Sequence, residues 1–216
     1  MSRSLLTLIL AGTASVALSG CAAGRASREP QDLRGFLLGE PLAKPEFTLT
    51  ATDGTPFDFR QVTDGFVTLV FFGYTNCPDV CPVHMSNLGT VLPTLDPRVV
   101  ERIKVVFVTT DPRRDTPAVL RTWLDHFSRS FIGLTVDSIT IARVQEALKL
   151  APAVIEKAAA GDAGYGVGHS SLVVAFTADN QAHVVYPYGT RQEDWAHDLP
   201  ELVREGWGVG AGAASR

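Results

Sequence analysis

An uninterrupted run, Phe66-Val67-Thr68-Leu69-Val70-Phe71-Phe72, leads through Gly73-Tyr74-Thr75-Asn76 into Cys77-Pro78-Asp79-Val80-Cys81-Pro82. A run this continuous has no polar face, so it predicts a strand buried on both sides rather than at a sheet edge. Such a strand requires covering layers above and below it. It also delivers two thiols to the first turn of a helix. The spacing of the cysteines puts their sulfurs about one helical turn apart on one face. That pair can close a disulfide or hold one soft metal ion. Pro78 suits a position where no N–H is needed, and Pro82 is tolerable if the helix begins near Cys81, with Cys77 in the loop before it. A cysteine at a helix N-terminus meets unpaired backbone N–H groups, which favour thiolate over thiol.

The third cysteine has a different context. Residues 1–21 carry one charge, Arg3, then an apolar core from Leu5 to Leu18 that is short for a membrane span. The stretch closes with Leu18-Ser19-Gly20-Cys21, which resembles a bacterial lipobox, so Cys21 is expected to be exposed by cleavage and lipidated. The domain is then exported and lipid-anchored to a membrane of the bacterial cell envelope, facing the periplasm. In that compartment disulfides persist, and Cys77 and Cys81 are the remaining thiols. A bridge across so short a loop stabilises little, which marks the pair as chemical rather than structural. Loss of Arg3 takes the formal net charge from −4 to −5, against nucleic acid and anionic surfaces as partners.

Residues 22–45, rich in Gly, Ser and Pro, are expected to form a flexible tether, residues 46–207 a single domain, and residues 208–216 a disordered tail. Phe47 to Phe59 alternates around Asp53-Gly54 as a hairpin. Val83, Leu88, Val91, Leu92 and Leu95 recur at helical spacing up to Asp96-Pro97, and Ile103 to Thr109 is a second buried strand. Thr116-Pro117 starts a helix with Leu120, Trp123, Leu124 and Phe127 on one stripe. Phe131 to Val136 is a short strand, and Ser138 is expected to cap a helix through Leu150. Leu172 to Phe176 turns at Asp179-Asn180 into His183 to Tyr186. Thr190 and Glu193 make a capping box for a last helix, which Pro200 is expected to kink or shorten. Strands alternating with helices, and a hairpin at each end, give a mixed sheet flanked by helices; the leading instance is the thioredoxin-like fold, whose thiols also sit at a strand-to-helix junction.

Two thiolates make a thin metal site, so a third donor is sought. His84 and Met85 read as an ordinary helix face, His126 and His197 as surface, and His183 as a cross-strand side chain. His169 ends a stretch between Leu150 and Leu172 without helix or strand pattern, rich in Ala and Gly. Such loops are functional or disordered, which leaves His169 open as a surface residue or as one reaching the sheet end. Asp111 ends the second buried strand, where a carboxylate would brace a ligand or face a partner. Asp115 reads as a helix-start carboxylate.

Phe71 to Pro82 closely resembles the signature of the Sco/SenC family, copper-binding assembly factors of cytochrome c oxidase. Asp111-Pro112-Arg113-Arg114-Asp115-Thr116-Pro117 resembles its second motif, His169-Ser170 its third, and Tyr186-Pro187-Tyr188-Gly189-Thr190 its closing segment. The resemblance spans Phe47 to Val203. It implies a thioredoxin-like fold with an extra N-terminal hairpin and a histidine-bearing loop insertion. It further implies one copper ion on Cys77, Cys81 and His169, a redox-active pair able to form a Cys77–Cys81 disulfide, and a client in oxidase subunit II with its binuclear copper A centre. Two positions depart from the family pattern: Asn76 stands where histidine is common, and Gly168 where aspartate often precedes the ligand. The expected activity is that of a metallochaperone rather than an enzyme, with a thiol–disulfide oxidoreductase as the alternative. A peroxidase using Cys77 fits less well, because the two cysteines are paired and proline-flanked.

Overall fold

The structure is a computed structural model that describes residues 32–157 and 164–204. In chain order the strands are β1 (Phe36–Ala43), β2 (Thr48–Ala51), β3 (Pro56–Asp58), β4 (Val67–Gly73), β5 (Ile103–Thr109), β6 (Ile132–Thr135), β7 (Val154–Lys157), β8 (Tyr165–Gly168), β9 (Val173–Phe176) and β10 (Gln181–Tyr186). The helices are α1 (Phe59–Val62), α2 (Val80–Val91), α3 (Pro97–Val100), α4 (Pro117–Asp125), α5 (Ser138–Ala147) and α6 (Gln192–Val203).

All but β7 and β8 form one sheet in the order β1-β10-β9-β4-β5-β6-β2-β3. β4 runs parallel to β5 through the α2 crossover and antiparallel to β9, and β9 pairs antiparallel with β10. This β10-β9-β4-β5 core, with helices on both faces, is the thioredoxin-like arrangement. The long run at β4 is buried along its whole length, as its lack of a polar face requires. Its alternate residues feed two cores. Leu69 and Phe71 pack with Met85 and Leu88 of α2, Leu120 and Leu124 of α4, and Trp195 and Leu199 of α6. Val70 and Phe72 pack on the other face with Ile141 and Val144 of α5, with Leu148 just after it, and with Leu49 and Phe57 of the β2–β3 hairpin.

Several expectations need correction. The expected tether at 22–45 is a strand of the sheet over Phe36–Ala43, pairing with β10. Side chains hold it there: buried Asp198 accepts from the backbone N–H of Arg34 and Gly35, and buried Lys44 donates from Nζ to the Thr63 carbonyl at 2.8 Å. Burial pulls the Lys44 pKa down to about 8, and the neighbouring Arg60 charge acts in the same direction. The stretch before His169 is no bare loop, since β7 and β8 form an antiparallel hairpin of their own with Val154 opposite Gly168. Two caps lie one residue from their expected places. Asp137, not Ser138, caps α5 by accepting from Thr140 N, and α6 starts with Arg191 rather than Thr190 at its N-cap, where the Asp194 carboxylate, rather than Glu193, accepts from the Arg191 backbone N–H. α6 continues through Pro200 to Val203, and α2 ends at Val91 in a short 3-10 turn rather than at Asp96-Pro97. The expected targeting segment with Cys21, the tail at 208–216 and the Ala-Gly stretch at 158–163 lie outside the described residues. No helix among the described residues is long and apolar enough to cross a membrane.

Candidate metal centre

The thiols stand at the carboxyl end of β4. Gly73, the last residue of that strand, allows the approach: a Cβ there would lie 2.6 Å from Cys81 Sγ. Asp115 fixes the loop that follows. Fully buried, it accepts from Thr75 N at 3.0 Å, Thr75 Oγ1 at 2.6 Å and Thr109 Oγ1 at 2.6 Å, tying the loop to the end of β5. Its expected role as a helix-start carboxylate is therefore corrected, because Thr116 itself caps α4 by accepting from Val119 N. α2 opens at Val80, so Cys77 lies in the loop and Cys81 in the first turn, whose free N–H reaches Cys77 Sγ at 3.4 Å.

His169 comes to the thiols from the other side, directly after β8. Its Nδ1 lies 2.9 Å from the Ser170 carbonyl, and a carbonyl only accepts, so Nδ1 carries the proton. The lone pair of Nε2 is then free, 3.4 Å from Cys81 Sγ. Phe71 and Tyr74 meet the imidazole edge-on, with ring centroids 5.8 and 5.6 Å away. Cys77 Sγ, Cys81 Sγ and a His169 nitrogen all lie within 4.8 Å of one another, a separation one ion can bridge.

The two sulfurs are electrostatically unlike. A hydrogen bond from the Cys81 thiol holds the Cys77 pKa down to about 4, and the backbone N–H groups of Asp79 and Cys81 add to this against partial burial. The Cys81 thiol is pushed far up, first by burial and then by the neighbouring Cys77 charge. The pair behaves as one coupled acid that gives up its first proton at the more exposed sulfur. Both cysteines are free thiols in this structure.

Asp111 does not touch the sulfurs. Buried, it accepts from Tyr165 Oη at 2.9 Å and pairs with Arg114, whose guanidinium stacks on the Tyr165 ring at 3.8 Å and donates to the Tyr165 carbonyl. It thus braces the strand that leads to His169. His84, expected on an ordinary helix face, is buried between α2 and the sheet, where its Nε2 meets the Ser171 carbonyl at 3.0 Å and its ring lies 5.0 Å from Phe71. Met85 is core. His126 is exposed, whereas His183 pairs with Asp179 and His197 with Asp198. A side chain at Gly168 would run into the Glu156 carboxylate across the hairpin, so the glycine leaves that space to Glu156.

A thioredoxin-like sheet presenting two thiols and an imidazole beyond the carboxyl end of an interior strand defines a protein of thiol or soft-metal chemistry. Comparison with known proteins narrows this: the SCO1/SenC family model matches residues 38–204, and the chain belongs to that family. It is 35% identical to a Stutzerimonas stutzeri protein named provisionally as copper-binding, over 87% of this chain and 88% of that one. A SCO2-like protein of Rickettsia felis is 33% identical over 63% of this chain and 65% of its own length. Among solved structures, Bradyrhizobium japonicum ScoI with copper bound superposes with a TM-score of 0.63 at 28% identity, covering 74% of this chain and 99% of that one.

Proposed function

We propose that the chain binds one copper ion through Cys77, Cys81 and His169 and acts as a metallochaperone in assembly of cytochrome c oxidase. The client in this reading is the binuclear copper A centre of subunit II. The observation that carries it is the donor set: two sulfurs, one already a thiolate near neutral pH, and an imidazole lone pair aimed at them. Soft sulfur with imidazole selects copper or zinc over hard cations, and copper is what the ScoI relative holds. The Leu18-Ser19-Gly20-Cys21 sequence supports export and a lipid anchor on Cys21, which would keep the domain at the periplasmic face of a membrane.

One observation favours a second reading, a thiol–disulfide oxidoreductase that keeps client cysteines reduced. A half-exposed thiolate at Cys77 beside a buried, protonated Cys81 is the arrangement in which one sulfur attacks and the other resolves. Copper titration of the reduced protein separates the two. The metallochaperone reading expects one equivalent bound, affinity reduced roughly a hundredfold or more in His169→Ala, and no tight binding once a Cys77–Cys81 disulfide has formed. Copper affinity unchanged in His169→Ala would sink the ligand assignment and leave the oxidoreductase.

A further inference from the structure

β1 carries the chain into the sheet from the end where the thiols stand. β9 runs antiparallel to β4, β10 antiparallel to β9, and β1 antiparallel to β10, so β1 starts towards the end at which β4 stops. Register fixes the level: Phe36 lies opposite Val185, Val185 opposite Val174 and Val174 opposite Val70, three residues before Gly73. The entry point is thus about 10 Å along the strands and about 14 Å across the sheet from the end of β4. It is also held in place, because Asp198 accepts from the Arg34 and Gly35 amides and Leu33 packs on the core that α2 and α6 share.

β1 is an edge strand, with no neighbour on its outer side among the described residues. Two large apolar side chains stand uncovered at its start, Phe36 at 65% exposed and Leu37 at 59%. Adjacent on an open edge, they make a larger apolar spot than a single exposed side chain does. Chain length says what lies within reach of it. Ten residues, 22–31, separate Cys21 from Asp32, so a lipid on Cys21 stays within about 40 Å of the entry point whatever their path. Tethered that closely, a bilayer meets the β1 edge at an effective concentration on the order of millimolar, where even a weak contact is populated. The contact is apolar rather than ionic, because loss of Arg3 takes the formal charge from −4 to −5 and anionic headgroups gain nothing from it. Glu40, exposed in the second half of the strand, keeps that end in water and leaves the contact to the thiol end.

We propose that Phe36 and Leu37 seat in the interfacial layer of the bilayer that holds the Cys21 lipid, turning the β1 edge and the thiol end of the sheet towards the membrane. The inference rests on the lipid-anchor reading of Cys21. It adds an orientation to that anchor, one that presents the metal centre to a client seated in the same membrane.

The test uses the full lipidated chain, reduced and metal-free, in vesicles of phosphatidylcholine with brominated acyl chains, which quench tryptophan on contact. Phe36→Trp, read against the wild-type signal, should lose more than half of its added fluorescence. Val119→Trp should lose none, since Val119 is exposed on α4 over β6, five strands across from β1. Adding Leu37→Ser to the Phe36→Trp chain should weaken the quenching several-fold, because half of the apolar spot is gone. Equal quenching in the Phe36→Trp and Val119→Trp chains would overturn the proposal, since the domain would then lie on no particular face. Absence of quenching in Phe36→Trp, with the lipid found on Cys21 by mass spectrometry, would overturn it and leave the anchor standing. If that tryptophan were also shielded from aqueous iodide, a second copy of the chain would be what covers the edge. A Cys21 without lipid would remove the anchor reading and this contact with it.

Discussion

The two halves of the metal centre are built differently. The thiol half grows out of β4, a strand buried along its whole length, and its loop is locked by Asp115, which is fully buried. The imidazole half sits at the end of a separate hairpin whose β7 strand is exposed at every position. Its position depends on a few side-chain bonds: Asp111 and Arg114 on Tyr165, and His84 on the Ser171 carbonyl. The sulfur geometry therefore comes with the core, and changing it costs the fold. The histidine can be moved by changes that leave the sheet intact.

The largest expected effect lies in the thiol half. In the metal-free reduced protein, the rate at which Cys77 reacts with iodoacetamide should stay on its plateau through neutral pH and fall to half only at about pH 4, while Cys81 stays inert across the same range. The linkage has a definite sign. An unfolded thiol holds its proton up to about pH 9, whereas folded Cys77 releases it at about 4, so the unfolded state binds more protons between these values. For this group, stability rises with pH across that window and is lost as pH falls through 4. An alkylation profile at Cys77 with its midpoint near that of an ordinary thiol would erase the electrostatic difference between the two sulfurs.

Next in size is Asp115→Ala. It strands the Thr75 N–H and the Thr75 and Thr109 hydroxyls in a buried site, which should cost about 3 kcal/mol in urea unfolding and weaken copper binding with it. A loss below about 1 kcal/mol would mean the latch is redundant and the thiol half is not held by it.

What was legible in the sequence follows the same division. The β4-α2-β5 unit and both cysteines could be read directly, because continuous apolar runs and a thiol pair at a strand end are local signals. Asp115 was misread because its partners include Thr75, forty positions earlier in the chain, so only folding reveals them. β8, with the sequence Tyr165-Gly166-Val167-Gly168, alternates with glycine and carries little strand propensity, which hid the hairpin. β1 was hidden by Gly39 and Pro41, and its register with β10 is irregular between Leu37 and Leu42. His84 lies one turn from Cys81 on a face that reads as mixed, and its burial is set by β4 and by the segment before β9. His169 was found through family resemblance; spacing alone left it open.

Tyr165→Phe tests the imidazole half with a smaller change. It removes the hydroxyl that Asp111 accepts while keeping the ring under Arg114. The expected cost is about 1 kcal/mol or less in unfolding. Copper affinity should drop several-fold, because the hairpin that carries His169 loses one of its few anchors. If stability falls and copper affinity does not, the hairpin is not what positions the imidazole.

Gly168→Ala carries the smallest expected effect and bears most directly on the difference between the halves. Gly168 does not adopt a left-handed backbone, so alanine is conformationally allowed there. The added methyl would lie in ordinary contact with the Val154 carbonyl and too close only to the outer end of the Glu156 side chain, which can swing towards solvent from its exposed strand. What remains is the entropy that glycine confers on the unfolded chain, so the substitution should stabilise by about 0.5 kcal/mol at most. Its local consequence should be clearer than its global one. A stiffer link between β8 and His169 should raise amide-exchange protection at Tyr165 to Ser170 in the metal-free protein, with the β4 and β5 amides unchanged. Copper should then add less protection to the variant than to the wild type, because part of the ordering is already in place. Equal protection in both metal-free proteins would show that the hairpin is as well fixed as the thiol loop, and the distinction between the two halves would fail.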